Sequence, residues 1–315
     1  MYRFFNLILD IYTLLAYQSK IYRALLKECK MEIIKLAIPL IFISLYACAQ
    51  KGSSVLSDGS PYPKVTKESE YWKDAKLVWS DEFEGRNLSK EKWKFETGDH
   101  GWGNNEWQNY LADTNVEISE GTLKVIAKKE GPGQKVGDYT STRLNSKESF
   151  LYGRMEIRAK IPELKGNGLW PALWMLGENI KTVGWPDCGE IDIMEYVSYD
   201  PDHIHFSIHS VANNHKNGTQ VTSGPLLLKT IEEEFHNYGL LWTPDCLKFY
   251  LDDIDNVKLT FYRPEEYNAD NWPFDKPFYF LINMAVGGNW GGVNGVDDRI
   301  FPSTMEVDYV RVYQK

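Results

Sequence analysis

From Trp72 onward the chain runs in short stretches of alternating apolar and polar residues, broken by Gly, Asn, Asp and Pro. Thr122 to Ala127, Arg154 to Ile161 and Leu247 to Leu251 are examples. A period of two sends successive side chains to opposite faces, so each stretch predicts a half-buried β-strand. Long helical periodicity is absent, and only Lys229 to His236 predicts a turn or two of helix. Many short strands separated by turn residues predict an all-β fold, a two-sheet β-sandwich of jelly-roll type.

One strand departs from strict alternation. In Gly189-Glu190-Ile191-Asp192-Ile193-Met194-Glu195-Tyr196, Glu190 and Asp192 share a face opposite Ile191 and Ile193. Strict alternation would send Glu195 to the apolar face, where an unpaired carboxylate is costly. A β-bulge at Ile193 or Met194 adds one residue and returns Glu195 to the face of the other two acids. Three carboxyls on one face repel, so at least one holds its proton near neutral pH. A protonated acid beside an ionised one is what glycoside hydrolysis requires. Isolated acids on alternate strand positions are usually a solvated face, and three carboxylates can also bind Ca²⁺. Here the flanks, Trp185-Pro186-Asp187-Cys188 and Tyr196-Val197, are unlike a solvated surface.

Other strands divide in the same way. Trp170, Ala172 and Trp174 oppose Leu169, Leu173 and Met175, offering two indoles to a flat ligand or to the core. His203, His205, Ser207 and His209 oppose Ile204, Phe206 and Ile208, a row of imidazoles that could also bind a metal. Arg154, Glu156 and Arg158 oppose Met155, Ile157 and Ala159.

The Glu-Ile-Asp-Ile-Met-Glu core resembles the signature of glycoside hydrolase family 16, and within it the laminarinase-like β-1,3-glucanases. Similar segments are Trp79 to Phe83, Gly101 to Glu106, Tyr152 to Arg154, Trp170 to Met175, Ala285 to Trp290 and Val307 to Tyr313. The resemblance implies a concanavalin A-like sandwich with a concave substrate cleft. It also implies retaining, endo-acting hydrolysis of β-1,3-glucosidic bonds, with Glu190 as nucleophile, Glu195 as acid/base and Asp192 positioning Glu190. Sugar contacts are implied for Asn105, Glu156, Arg158, Trp170, Trp174, His209 and Asn283. A structural Ca²⁺ on the convex face is implied at Glu84, the Gly121 carbonyl and Asp308, with no cofactor for catalysis.

Composition narrows the substrate. A net charge of -9 and the absence of a basic patch argue against nucleic acid. The chain is 14% aromatic, with 11 Trp, more than a core alone commonly needs and suited to stacking on sugar rings. Sulfated galactans would call for Arg and Lys along the cleft, and the strands assigned to it offer only Arg154 and Arg158. A neutral β-glucan such as laminarin is therefore expected. Mixed-linkage β-1,3-1,4-glucan, a galactan or a non-catalytic glucan-binding module are the alternatives, and the protein is expected to be monomeric.

The four cysteines, at 29, 48, 188 and 246, are too few and too scattered for a disulfide scaffold or a zinc site. Cys188 and Cys246 either pair or, as expected, stay buried thiols. Residues 1–30 form an upstream segment that need not be translated, since Met31 restarts an export-signal pattern over 31–49. Leu45-Tyr46-Ala47-Cys48 resembles a bacterial lipobox, implying a lipid-anchored protein at the cell surface or periplasm. Cleavage after Ala47-Cys48-Ala49 would instead release a secreted protein beginning at Gln50. Residues 50–71 read as a flexible tether and 72–315 as the catalytic domain.

Overall fold

The computed structural model describes residues 67–163 and 165–315. The export signal, Cys48 and most of the tether lie outside the described residues. In chain order the strands begin β1 (Lys76–Asp81), β2 (Trp93–Glu96), β3 (Gln108–Tyr110), β4 (Val116–Ser119), β5 (Thr122–Lys129) and β6 (Tyr139–Ser141). They continue with β7 (Arg143–Phe150), β8 (Gly153–Lys160), β9 (Leu169–Gly177), β10 (Glu190–Glu195), β11 (His203–His209) and β12 (Val221–Thr222). The last are β13 (Leu226–Leu227), β14 (His236–Trp242), β15 (Cys246–Leu251), β16 (Val257–Tyr262), β17 (Phe278–Val286) and β18 (Ser303–Gln314).

These strands form the two sheets that the alternation predicts. The eight-stranded sheet runs β12-β11-β10-β9-β17-β7-β2, with β13 paired to β11. The ten-stranded sheet runs β16-β15-β14-β8-β18-β5-β6-β3, with β1 on β18 and β4 on β5. Pairing is antiparallel except between β3 and β6.

The inner faces meet in one core. Leu173, Met175, Ile191, Ile193, Phe206 and Ile282 from the smaller sheet pack with Met155, Ile157, Leu240, Phe249 and Val310 from the larger, all fully buried. Phe206 stacks on Phe249 across the sandwich, ring centroids 5.6 Å apart. At roughly 1.5–3 kcal/mol for each fully buried large apolar side chain, this layer is the main favourable contribution to folding.

Two expectations need correction. The folded part begins before Trp72: α1 (Glu68–Tyr71) is docked by the Glu68–Lys248 ion pair and by Ser69, which donates to Asp255 from its backbone N and its hydroxyl. Trp72 then buries against Leu241 and Tyr250, so Glu68 to Tyr71, expected as part of a tether, are folded. Lys229 to Glu233 forms consecutive turns, with the Thr230 carbonyl accepting from both Glu233 N and Glu234 N, and His236 already opens β14. Only one i→i+4 bond closes there, from Glu234 N to the Thr230 carbonyl, so the turns do not continue into a helix. A four-residue helix appears elsewhere, α2 (Ile180–Val183), in the loop between β9 and β10.

Candidate active site

The bulge lies on β10. Against β9, Asp192 pairs with Trp174 and Met194 with Leu173, so Ile193 is the extra residue. Against β11, Asp192 pairs with Ser207 and Glu195 with His205. Both Ile193 and Met194 turn into the core. Glu190, Asp192 and Glu195 consequently face one cleft of about 860 Å³ that crosses the eight-stranded sheet.

Each outer acid is met by an indole. Trp185 Nε1 donates to Glu190 Oε2 at 3.0 Å and Trp170 Nε1 to Glu195 Oε1 at 3.1 Å. Burial and the neighbouring Asp192 push the Glu190 carboxyl up to about 8, while His209, the Trp185 N–H and Arg143 oppose the rise. Burial, with Asp192 next, holds Glu195 well above the usual carboxylate range, and burial does the same for Asp192. Glu190 therefore has the most help in carrying charge, and Asp192 and Glu195 are the groups readier to hold a proton.

Trp170 and Trp174 line the cleft, whereas Leu169, Leu173 and Met175 are core, as the alternation expects. Asn283 on β17 also lines it, and its Oδ1 accepts from Trp174 Nε1 at 2.7 Å. His209 is buried under Trp185 and His215. Its Nε2 lies 3.3 Å from Asp192 Oδ2 and 3.6 Å from Glu190 Oε1, so it reaches the acids and not a sugar. The histidine row disperses: His203 pairs with Asp200 and His205 meets the edge of Trp290. Among the described residues, the cluster able to hold a metal ion is Glu190, Asp192 and His209, with ligand atoms within 4.8 Å of one another.

Glu156 and Arg158 are not in the cleft. They sit on β8 in the ten-stranded sheet, where Glu156 accepts from Tyr250 and Tyr309 hydroxyls and Arg158 pairs with Asp308. Alternation identifies the polar face of a strand but not the sheet that owns it. Asn105 is exposed in a turn with φ 55°, its amide donating to Asn289 Oδ1, while its neighbours Asn104 and Glu106 line the cleft.

The positions implied for Ca²⁺ lie on the larger sheet. β18 pairs with β5 up to Val307–Leu123 and with β1 from Val310–Asp81. Gly121, just before β5, and Glu84, just after β1, thus flank the same stretch of β18 as Asp308. The Asp308 carboxylate is committed to the Arg158 guanidinium, and this donor set as it stands does not fit a cation.

Arg143 on β7 is the cleft cation that sequence reasoning missed. Its guanidinium carbon lies 4.8 Å from both the Trp102 and Trp174 ring centroids, and its Nε donates to Glu96. The alternation of Arg143 and Asn145 around Leu144 was the available signal. Lys94, Lys147, Lys181 and Lys216 also line the cleft. The expectation that Arg154 and Arg158 are its only cations is therefore overturned, and with it the charge argument against sulfated chains. Cys188 and Cys246 are free, buried thiols.

Comparison with known proteins places this geometry. The family model for glycosyl hydrolases family 16 matches residues 103–311. The chain is similar to a beta-glucanase of Rhodothermus marinus, 42% identical over 86% of this chain and 91% of that protein. It is similar to the crystal structure of a laminarinase from Flavobacterium sp. UMI-01, 46% identical with a TM-score of 0.69, over 76% of this chain and all of that one. A third similar structure is a non-specific endo-β-1,3(4)-glucanase co-crystallized with 1,3-β-D-cellotriosyl-glucose. It is 41% identical with a TM-score of 0.71, over 77% of this chain and 95% of that one. The bulged acid strand, the indole donors and these matches agree: this chain belongs to the glycosyl hydrolases of family 16.

Proposed function

We propose that the protein is a retaining endo-β-1,3-glucanase acting on laminarin-like glucan. The observation that carries this reading is the single-residue bulge that aligns Glu190, Asp192 and Glu195 in a cleft beside Trp170, Trp174 and Trp185. Glu190 attacks the anomeric carbon as Glu195 gives its proton to the departing glycosidic oxygen, and the C–O bond breaks to leave a glycosyl ester on Glu190. Water then attacks the anomeric carbon with Glu195 taking its proton, which breaks the C–O bond to Glu190, frees the sugar and regenerates both acids. Asp192 and His209 position Glu190, and Trp170 holds Glu195 in line. Lining residues run from β2 across to α2, so the cleft suits a chain laid across the sheet and cut internally. The similar laminarinase and beta-glucanase support the choice of glucan.

The test is a product profile on laminarin, mixed-linkage glucan, agar, porphyran and carrageenan. Laminarin should lead in kcat/KM with a ladder of oligosaccharides as products. Porphyran or agar clearly ahead would overturn the substrate, and single-sugar release would overturn endo action. A sulfated galactan is the second reading, favoured by the four cleft lysines.

A further inference from the structure

A chain of hydrogen bonds runs from the cleft indole Trp174 to a buried carboxylate that the mechanism does not use. Trp174 Nε1 donates to Asn283 Oδ1 at 2.7 Å, Asn283 Nδ2 donates to Tyr110 Oη at 3.0 Å, and Tyr110 Oη donates to Glu106 Oε2 at 3.3 Å. Glu106 is 4% exposed, and it also accepts from Gln108 Nε2 at 2.6 Å and Asn104 Nδ2 at 3.3 Å.

Every bond in this chain has its direction fixed. An indole N–H can only donate, so Asn283 must turn its oxygen to Trp174 and its NH₂ to Tyr110. Tyr110 then spends a lone pair on Asn283 and must send its own hydrogen elsewhere, to the Glu106 Oε2 that faces it. Gln108 cannot reverse the pattern, because its Oε1 is held by the Val286 N–H at 2.7 Å, leaving its NH₂ for Glu106. Glu106 is therefore the acceptor at which all these donors end.

We propose that Glu106 is a positioning residue for glucan binding, setting the Asn283 amide, and through it the Trp174 indole, in the orientation that receives the sugar. Without an acceptor at position 106 the Tyr110 hydrogen swings toward Asn283 and the amide turns over. Trp174 then faces an NH₂ and loses its anchor. Arg143 lies over the Trp174 ring and holds it on one side only, so the indole tilts away from the sugar. This inference rests on the cleft being the glucan site.

The test is a double-mutant cycle read in laminarin kinetics. Glu106→Leu should raise KM roughly tenfold, the size of one lost hydrogen bond of this kind, with a smaller change in kcat. In a Trp174→Phe background, which has no N–H to anchor, the same change should alter KM by less than about twofold. Glu106→Gln keeps an acceptor for Tyr110 and should rescue most of the loss. Should Glu106→Leu fail to fold, Tyr110→Phe removes the same link and takes its place in the cycle. Additive effects in the Trp174→Phe background, or Glu106→Gln as damaging to KM as Glu106→Leu, would overturn the proposal. An inactive wild-type protein would instead overturn the glucanase reading.

Discussion

Trp185 and Glu190 are joined by an indole N–H that donates to Oε2 at 3.0 Å, five residues apart in sequence and across the turn that leads into β10. The bond stabilises Glu190 in its charged form, against burial and Asp192, which hold its carboxyl at about 8. Trp185→Phe keeps the ring and removes the donor, so the Glu190 pKa should rise further. The acid limb of the kcat/KM profile should move about one unit toward higher pH, with activity at pH 7 down three- to tenfold and largely recovered at higher pH. An unmoved acid limb would show that this bond does not tune the nucleophile.

The two outer acids should separate by chemical rescue. Glu190→Ser should lose nearly all laminarin hydrolysis, and azide should restore turnover by occupying the vacated face, giving a glycosyl azide of inverted configuration. Glu195→Gln should also be nearly inactive, but on an activated aryl glycoside that needs no proton it should recover far more than Glu190→Ser. Rescue of neither variant, followed by NMR of the products, would refute the assignment of roles.

The raised Glu190 pKa also has a stability consequence. Between about pH 4.5 and 8 the folded protein keeps a proton that the unfolded chain has released, so stability falls as pH rises through this window. Glu190→Gln removes that dependence. Its Tm should exceed wild type at pH 8 and match it near pH 4.5. Each kcal/mol is worth about 2–4 °C in a chain of this size, and the gain at pH 8 should be at least one such step. Calorimetry at the two pH values decides it.

Lys94, Lys147, Lys181 and Lys216 are exposed along the Glu190 end of the cleft, with Lys216 over the Trp185 ring at 4.6 Å and Lys94 over Tyr279 at 5.4 Å. A sulfated polyanion should compete there. Dextran sulfate should inhibit laminarin hydrolysis competitively at low salt and release its hold as salt rises, while uncharged dextran does nothing. Lys94→Glu with Lys216→Glu should weaken that inhibition severalfold. Salt-independent inhibition would rule out a charge effect.

We propose that Cys48 carries lipid and anchors the enzyme to a membrane, as Leu45-Tyr46-Ala47-Cys48 implies. In the native host, Cys48→Ser should move the protein to the soluble fraction. Mass spectrometry finding an unmodified N-terminus at Gln50 would establish secretion instead.

The acid strand was legible because its irregularity was local: five spacings between Glu190 and Glu195 conflict with period two, and only a bulge resolves the conflict. Trp170 and Trp174 were legible for the same reason, since Leu169, Leu173 and Met175 identify the core side. Glu156 and Arg158 misled because the outer faces of both sheets look alike along one strand. Only the order β14-β8-β18 assigns them to the sheet away from the cleft. Arg143, Trp102 and the Glu106 chain depend on pairs such as Tyr110 with Asn283, 173 residues apart, and no local pattern encodes that contact. His209 was found as a polar-face residue, but the rings that bury it come from Trp185 and His215, which lie in separate loops.

The bulge at Ile193 gives β10 one residue more than its ladder needs. Six residues, Glu190 to Glu195, lie against the five positions Leu176 to Ala172 of β9. Deleting Ile193 would restore regular alternation and leave Glu195 opposite Ala172 on the face of the other acids, at the cost of one apolar side chain from the core. Inserting a residue with no second bulge would instead turn Glu195 to the apolar face. Gain and loss of a residue are thus unequal on this strand, and descendants of this chain can shorten it more readily than they can lengthen it.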